Sequence, residues 1–376
     1  MNAISLICGA HVALTIASAS LGAGGEWVDL APLQIARQEV GAARIGDRVY
    51  VVGGLVGRAD LVATDSVEVY EMSANTWSLA APMPVALDHM GVAALSDRLF
   101  VIGGFSADFG ARREVWVYAP DQDAWSSGTP LPEPRGACWA VELAGRLFAF
   151  GGTDPSGAAQ ASTFIYDPAS DAWTRGADMP TPREHLNAAA VGEFIYVIGG
   201  RSASSTNAVE RYHPASDSWQ AMTPMPTARA AAAAAAFGQR IYVAGGETPM
   251  LFAVNEVYDI ATDTWSCATP MAIPRHGIAA VTLDDRIFTP AGAIVQGVGP
   301  TNAVDSFVPD GVLIPPDDAP NANGHGPAVN ANGDTNANDR PPQNRASRRT
   351  SLCGNGLVAF ILALGACMGR RPRMQR

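Results

Sequence analysis

The chain is short of charge, short of cysteine and without any clustered metal-binding pattern. Only 16 % of its 376 residues are charged, and the balance is acidic at −11. That excludes nucleic acid as a partner, because binding to a phosphate backbone runs on concentrated cations. Of five cysteines, Cys8 and Cys367 lie in apolar end segments and Cys353 in a polar tail. The remaining two, Cys138 and Cys267, stand far apart, so they read as buried free thiols rather than a disulfide. No CxxC and no His-rich spacing is present, which leaves no zinc signature. Nor does any recognisable catalytic set stand out, so neither a metal nor a cofactor is expected.

What the chain does have is a long period. Gly-Gly pairs stand at Gly53-Gly54, Gly103-Gly104, Gly151-Gly152, Gly199-Gly200 and Gly245-Gly246, with a worn copy at Ala291-Gly292. The successive intervals are 50, 48, 48, 46 and 46 residues, and tryptophans at 27, 77, 125, 173, 219 and 265 repeat with the same spacings. Each pair closes an apolar run and precedes an aromatic, at Tyr70, Tyr118, Tyr166, Tyr212, Tyr258 or Phe307. Self-similarity at this period marks one structural unit repeated six times.

Residues 87–131 show the unit. Met90 to Leu95 is apolar, Ser96-Asp97 makes a tight turn, and Arg98 to Ile102 is a second strand ended by the glycines. A polar loop leads to Glu114–Tyr118, which alternates as a half-buried strand does. After a Pro- and Asp-containing turn, Trp125 opens a fourth strand. Four antiparallel strands, a to d, are marginal alone, but a ring of such sheets covers both faces and leaves short edges. The tyrosines and tryptophans then read as packing between sheets. Trp27 has no Gly pair before it, and the last repeat has no Trp after it. Glu26–Leu33 therefore supplies strand d of the sixth sheet and closes the ring.

With its Gly pairs, its Tyr-x-Pro segments (Tyr118-Ala119-Pro120, Tyr166-Asp167-Pro168, Tyr212-His213-Pro214), the Trp beyond them and the Met-Pro segments at 83–84, 179–180 and 225–226, the chain resembles the kelch-repeat β-propellers. The resemblance implies an all-β, six-bladed propeller over residues 24–311. That fold hosts enzymes, adhesins and adaptors alike.

The ends differ from the ring. Residues 1–23 are apolar and end in small residues, like a secretory signal peptide, although no Lys or Arg precedes the apolar run. Residues 312–351 are rich in Pro, Asn, Ala, Gly and Asp and read as a disordered linker. Residues 352–376 join an apolar stretch, slightly short for a membrane span, to an Arg cluster. This tail looks like the C-terminal sorting signals of bacterial surface proteins, or like a simple membrane anchor. Export and display on the cell surface or outer envelope are the expectation, as a monomer.

Sixteen residues before each Gly pair stand Arg37, Leu87, Arg135, Arg183, Arg229 and Arg275. In kelch relatives this d–a connection rims the central cavity, so the resemblance implies a crown of guanidinium groups suited to carboxylates or phosphates. The competing structural role is pairing with carboxylates or carbonyls between sheets. Two positions on lie Glu39, His89, Ala137, His185, Ala231 and Gly277, with Asp88, Glu184 and His276 one position on. The candidate ligand-binding residues are thus Arg37, Arg135, Arg183, Arg229, Arg275, His89 and His276. Glu39, Glu184 and His185 are the candidates for moving protons. As metal ligands, His89 and His185 are two sheets apart and lack a third. The b–c loops, carrying Arg58, Asp60, Phe109, Arg112, Arg113, Asp154, Arg201, Glu247 and Phe252, vary as binding loops do.

The leading reading is a non-enzymatic propeller that binds a glycan or protein on this face. The alternative, implied by exported six-bladed kelch relatives, is a sugar mutarotase or epimerase acting on an acidic sugar such as sialic acid. The galactose oxidase branch is rejected, since the tyrosines here are mostly repeat positions. A surface protein without any small ligand is the third possibility.

Overall fold

A computed structural model describes residues 24–312. The leader-like segment 1–23, all but the first residue of the linker and the tail 352–376 lie outside the described residues. Those described are all-β, in six four-stranded antiparallel sheets with a two-stranded ribbon on one loop. In blade 2 strand a is Gly91–Leu95, b is Arg98–Ile102, c is Val115–Ala119 and d is Ala124–Ser127. The a strands pack against one another in turn, and that of blade 6, Val281–Thr282, returns to that of blade 1, Gly41–Ile45. Where they converge the sequence is small, as in Ala233-Ala234-Ala235-Ala236.

Closure is as the spacing of the tryptophans predicts. Glu26–Asp29 pairs with Val304–Val308 as the fourth strand of blade 6, with Trp27 opposite Phe307 and Asp29 opposite Asp305. Blade 6 is therefore built from both ends of the ring segment, and no sheet edge is left between first and last blades.

The second strand of each blade is the core. In blade 1, Val49, Val51 and Val52 are fully buried, each stabilising the fold by about 1.5–3 kcal/mol. The glycines that follow sit where the next blade's backbone arrives. Gly103 has φ +61°, and a Cβ there would lie 2.4 Å from the carbonyl oxygen of Arg135, so a side chain meets both strain and a clash.

The repeat aromatics pack between sheets, and they also hydrogen-bond there. Each repeat Trp donates its Nε1–H to a carbonyl of the preceding blade: Trp77 to Ala31 (2.7 Å), Trp125 to Ala81, Trp173 to Thr129, Trp219 to Ala177, Trp265 to Thr223 and Trp27 to Thr269. The Tyr118 hydroxyl donates to Asp123, whose same oxygen accepts the amide of Ala81. Tyr212–Asp217–Ala177 and Tyr258–Asp263–Thr223 repeat this clasp. One residue of the preceding blade is thus gripped at both its N–H and its C=O. Cys138 is buried and free, while Cys267 is disulfide-bonded and not the free thiol expected.

Candidate functional site

The d–a connections build the site. In each, the residue after the Arg position forms a bridge with the first residue after the Gly pair: Gln38 with Leu55, Asp88 with Phe105, Glu184 with Arg201, Ala230 with Glu247, and His276 with Ala293. The next residue turns the chain into strand a with positive φ: Glu39 55°, His89 53°, Ala137 52°, His185 49°, Ala231 52° and Gly277 59°. Five of these six carry a side chain in a conformation that disfavours one.

These six residues hold one another around the axis. The amide of His89 donates to the carbonyl of Glu39 (3.2 Å), Ala137 to His89 (2.9 Å) and His185 to Ala137 (3.1 Å). Ala231 donates to His185 (3.0 Å), Gly277 to Ala231 (2.9 Å), and Glu39 closes the circle on Gly277 (2.8 Å). A closed belt of backbone hydrogen bonds gives each strained turn a fixed partner on both sides. Because Ala137, Ala231 and Gly277 add little bulk, they leave a small cavity of about 40 Å³ beside Glu39, His89 and His185.

Inside the belt the side chains are ionic. His89 and His185 meet edge to face with ring centroids 4.7 Å apart. Asp88 binds the Nδ1 of His89 at 2.5 Å, and Glu184 binds the Nδ1 of His185. His89 Nε2 is 3.4 Å from Glu39, and His276 Nε2 lies 3.6 Å from Glu39 and 3.5 Å from Glu247. Arg201 spans Glu184 (2.5 Å) and Glu247 (3.0 Å). Burial alone would raise the Glu39 carboxyl; His89, His185, His276 and Arg201 together outweigh it and hold it below its usual range. Burial would likewise lower His89, but Glu39, Asp88 and Glu184 raise it. Glu184 resists burial through His185 and Arg201 and is drawn down to about 2. A wider opening between the loops of blades 2, 3 and 4 reaches Glu184 and His185 past Phe105, Phe109 and Asp154.

The arginines are elsewhere. Arg37, Arg135, Arg183, Arg229 and Arg275 are all at most 2 % exposed, so none offers its guanidinium to solvent as the expected crown would. Arg37 pairs with Glu68 (2.9 Å), Arg183 with Glu210 (3.0 Å), Arg229 with Glu256 and Arg275 with Asp305, each carboxylate lying on strand c of the same blade. Backbone carbonyls take further N–H groups, such as Val51 for Arg37 and Val243 for Arg229. Burial dominates their chemistry: Arg37 is brought down to about 10 despite Glu68, and Arg183 and Arg229 are lowered too.

The exceptions obey the same logic. Blade 3 has Phe164 at the carboxylate's register, and Arg135 stacks on its ring at 5.2 Å while pairing with Glu133. Blade 2 has Leu87 for the Arg and Trp116 for the acid, both in one apolar cluster. That matched replacement was the sequence signal for an internal role: where the Arg is lost, so is its acid. The acidic-sugar alternative loses the cations it relied on. What the structure brings together instead is Glu39, His89, His185 and His276, with Asp88, Glu184, Arg201 and Glu247 around them. His89 and His185 sit two blades apart, as expected, yet they share a belt tight enough for their rings to touch, and Glu39 joins them in a way the spacing did not reveal.

Sequence comparison finds the same repeat over much of the ring. The family model described as the KLHDC2/KLHL20/DRC7 Kelch-repeats domain matches residues 39–246, more than half of the chain, and the Kelch motif matches residues 228–272. The chain belongs to the kelch-repeat family. Among solved structures, one titled "Structure of YjhT" superposes on this kelch propeller with a TM-score of 0.63 at 14 % identity, covering 73 % of this chain and 96 % of that one. At that identity the likeness speaks for fold alone. Among curated proteins none matches the chain.

Proposed function

We propose that this kelch propeller is a non-enzymatic binding module whose partner is a protein docking on the face of the b–c loops and d–a connections. Kelch propellers are commonly protein-interaction scaffolds, and one observation carries the reading here. Of nine exposed large hydrophobic side chains among the described residues, eight lie on those connections: Val62, Phe109, Met250, Ile294, Val295 and Val298 on b–c loops, Val85 and Ile273 on d–a connections. The b–c group forms an arc over blades 5, 6, 1 and 2, whereas the loops of blades 3 and 4 are polar. Apolar side chains held out on a rigid scaffold mark a protein interface. A glycan would be better served by exposed Trp or Tyr, and the repeat tryptophans and tyrosines are committed to joining blades.

Display on the cell envelope belongs to the same proposal, supported by the leader-like residues 1–23 and the apolar and Arg-rich tail 352–376. Protease treatment of intact cells tests this: removal of the ring from undisrupted cells is the expected result, and full protection overturns it.

Photo-cross-linkers at positions 109, 250 and 295, compared with 97 and 145 on the opposite face, test the docking face. Adducts with one protein from the first set only are expected, and the purified partner should bind Phe109→Asp/Val295→Asp at least about tenfold more weakly. Equal labelling from both faces, or unchanged affinity of the double variant, overturns the proposal.

A further inference from the structure

We propose that Glu39, His89 and His185 form a site for one divalent transition-metal ion, of the Zn²⁺ class, on the axis of the ring. This is independent of what docks on the loops above. One ligand atom from each residue falls within 4.8 Å of the others. Metal bonds of about 2.0–2.1 Å in a tetrahedron put neighbouring ligand atoms about 3.4 Å apart. His89 Nε2 and Glu39 Oε2 already stand at 3.4 Å, so a small inward turn of His185 completes the three.

The surroundings are those that metal-bound histidines need. A ligating imidazole is held by a carboxylate on its other nitrogen, which fixes the tautomer and leaves the free lone pair aimed at the ion. Both rings have that partner, Asp88 on the Nδ1 of His89 and Glu184 on the Nδ1 of His185. Two separate d–a connections repeat the same acid-then-histidine pair, Asp88-His89 and Glu184-His185. His276 is 1 % exposed, its Nδ1 has no hydrogen-bond partner, and its Nε2 reaches toward the second oxygen of Glu39. It is placed to orient Glu39 or to enter as a fourth ligand.

Charge and access agree. Among the described residues Glu39, Asp88, Glu184 and Glu247 face one guanidinium, Arg201, so carboxylates outnumber the fixed cations of this pocket. The guanidinium also neighbours the ligand. Its NH2 nitrogen lies 3.3 Å from the Nε2 and 3.5 Å from the Nδ1 of His185. It is within hydrogen-bonding distance of that ring, so it has to draw back from Nε2, staying on Glu184 and Glu247, when an ion binds. The cavity of about 40 Å³ beside these residues has room for an ion and a water. Imidazole and carboxylate together suit zinc, copper, iron and nickel, and the ring's rigidity suits an ion held at one geometry. Because the ligands come from blades 1, 2 and 4, a bound ion would also tie three blades together.

The test is titration of the full chain, stripped with chelator, by ZnSO₄ in a calorimeter, with thermal unfolding measured alongside. Binding of one equivalent is expected, with a rise in Tm. His89→Asn and His185→Asn suit the left-handed turn, which Asn tolerates well, and should each lose at least about tenfold in affinity. Asp88→Asn, which keeps all three ligands, should lose about 10–100-fold. His213→Asn, on the outer part of blade 4, should change nothing. If the axial variants unfold, a zinc-soaked crystal of the unaltered chain still decides, through anomalous density between Glu39, His89 and His185. No binding by the unaltered chain, binding that survives the loss of both axial histidines, or density only elsewhere overturns the proposal.

Discussion

The two faces of the ring come from one repeat and expose different chemistry. On one face the a–b and c–d turns are short and polar, with Asp47, Asp97 and Glu193 at a–b tips and Asp123, Asp217 and Asp263 gripping the preceding blade. Among the described residues no large hydrophobic is exposed there. On the other face the b–c loops vary in length and carry the exposed apolar side chains, the axial cluster and the opening that reaches it. The difference teaches where a repeat is constrained. Turns that clasp a neighbour keep their chemistry wherever the clasp is made, whereas loops beyond the Gly pair are free to diverge because the glycines and arginines below them already complete the blade.

The largest effect should come from beneath the variable face. Glu256→Gln leaves Arg229 buried without its charge partner and should cost about 3–5 kcal/mol, read as a fall in denaturation midpoint. Arg229→Leu with Glu256→Leu should recover much of that, as blade 2 does with Leu87 and Trp116. If the double variant is no better than the single, the pairs do more than satisfy each other. Next, Gly103→Ala should cost more than the 1–2 kcal/mol of a left-handed residue alone, because its Cβ meets the Arg135 carbonyl. On the constant face, Asp123→Ala breaks one clasp and should cost about 1 kcal/mol. Smallest of all, Phe109→Asp should leave stability within about 0.5 kcal/mol while weakening the partner, so equal damage at Phe109 and Asp123 would erase the contrast between the faces.

A pH series sharpens the same contrast, since the titrating cluster belongs to the loop face. Glu184, lowered to about 2, contributes stability above its unfolded value near 4.5 that is lost as pH falls toward 2. His89, raised, contributes below about 6.5 and loses that contribution as pH climbs through its folded value. Maximal Tm is expected between these limits, in a field set by Glu39, Asp88, Glu247, His185, His276 and Arg201 as well. Glu184→Gln should flatten the acid limb and His89→Asn the alkaline one.

The fold was legible because glycine and tryptophan repeat for backbone reasons that do not depend on distant residues. Ring closure was legible from a Trp lacking its Gly pair. The arginine positions were equally visible, yet their role was read from the family's cavity instead of from Glu68, Glu210, Glu256 and Asp305, which sit about thirty residues downstream and bury them. Glu39, His89 and His185 were each singled out, but distances counted in blades misled. At the axis, residues far apart around the ring are neighbours across it, and spacing along the chain does not carry that convergence. The Cys267 bond left no trace in spacing at all.

The exchanged strand has a consequence for synthesis. Glu26–Asp29 emerges from the ribosome first, and its partner Val304–Val308 emerges about 280 residues later, a wait of tens of seconds at about 5–20 residues per second. Five blades can stack meanwhile, but the ring stays an open horseshoe with a bare edge on blade 6 until its oldest segment docks against its newest. The vulnerable interval in this protein's life therefore lasts until the ring's final strand has been made, and a chaperone holding residues 24–33 would control whether that horseshoe closes on itself or on another chain.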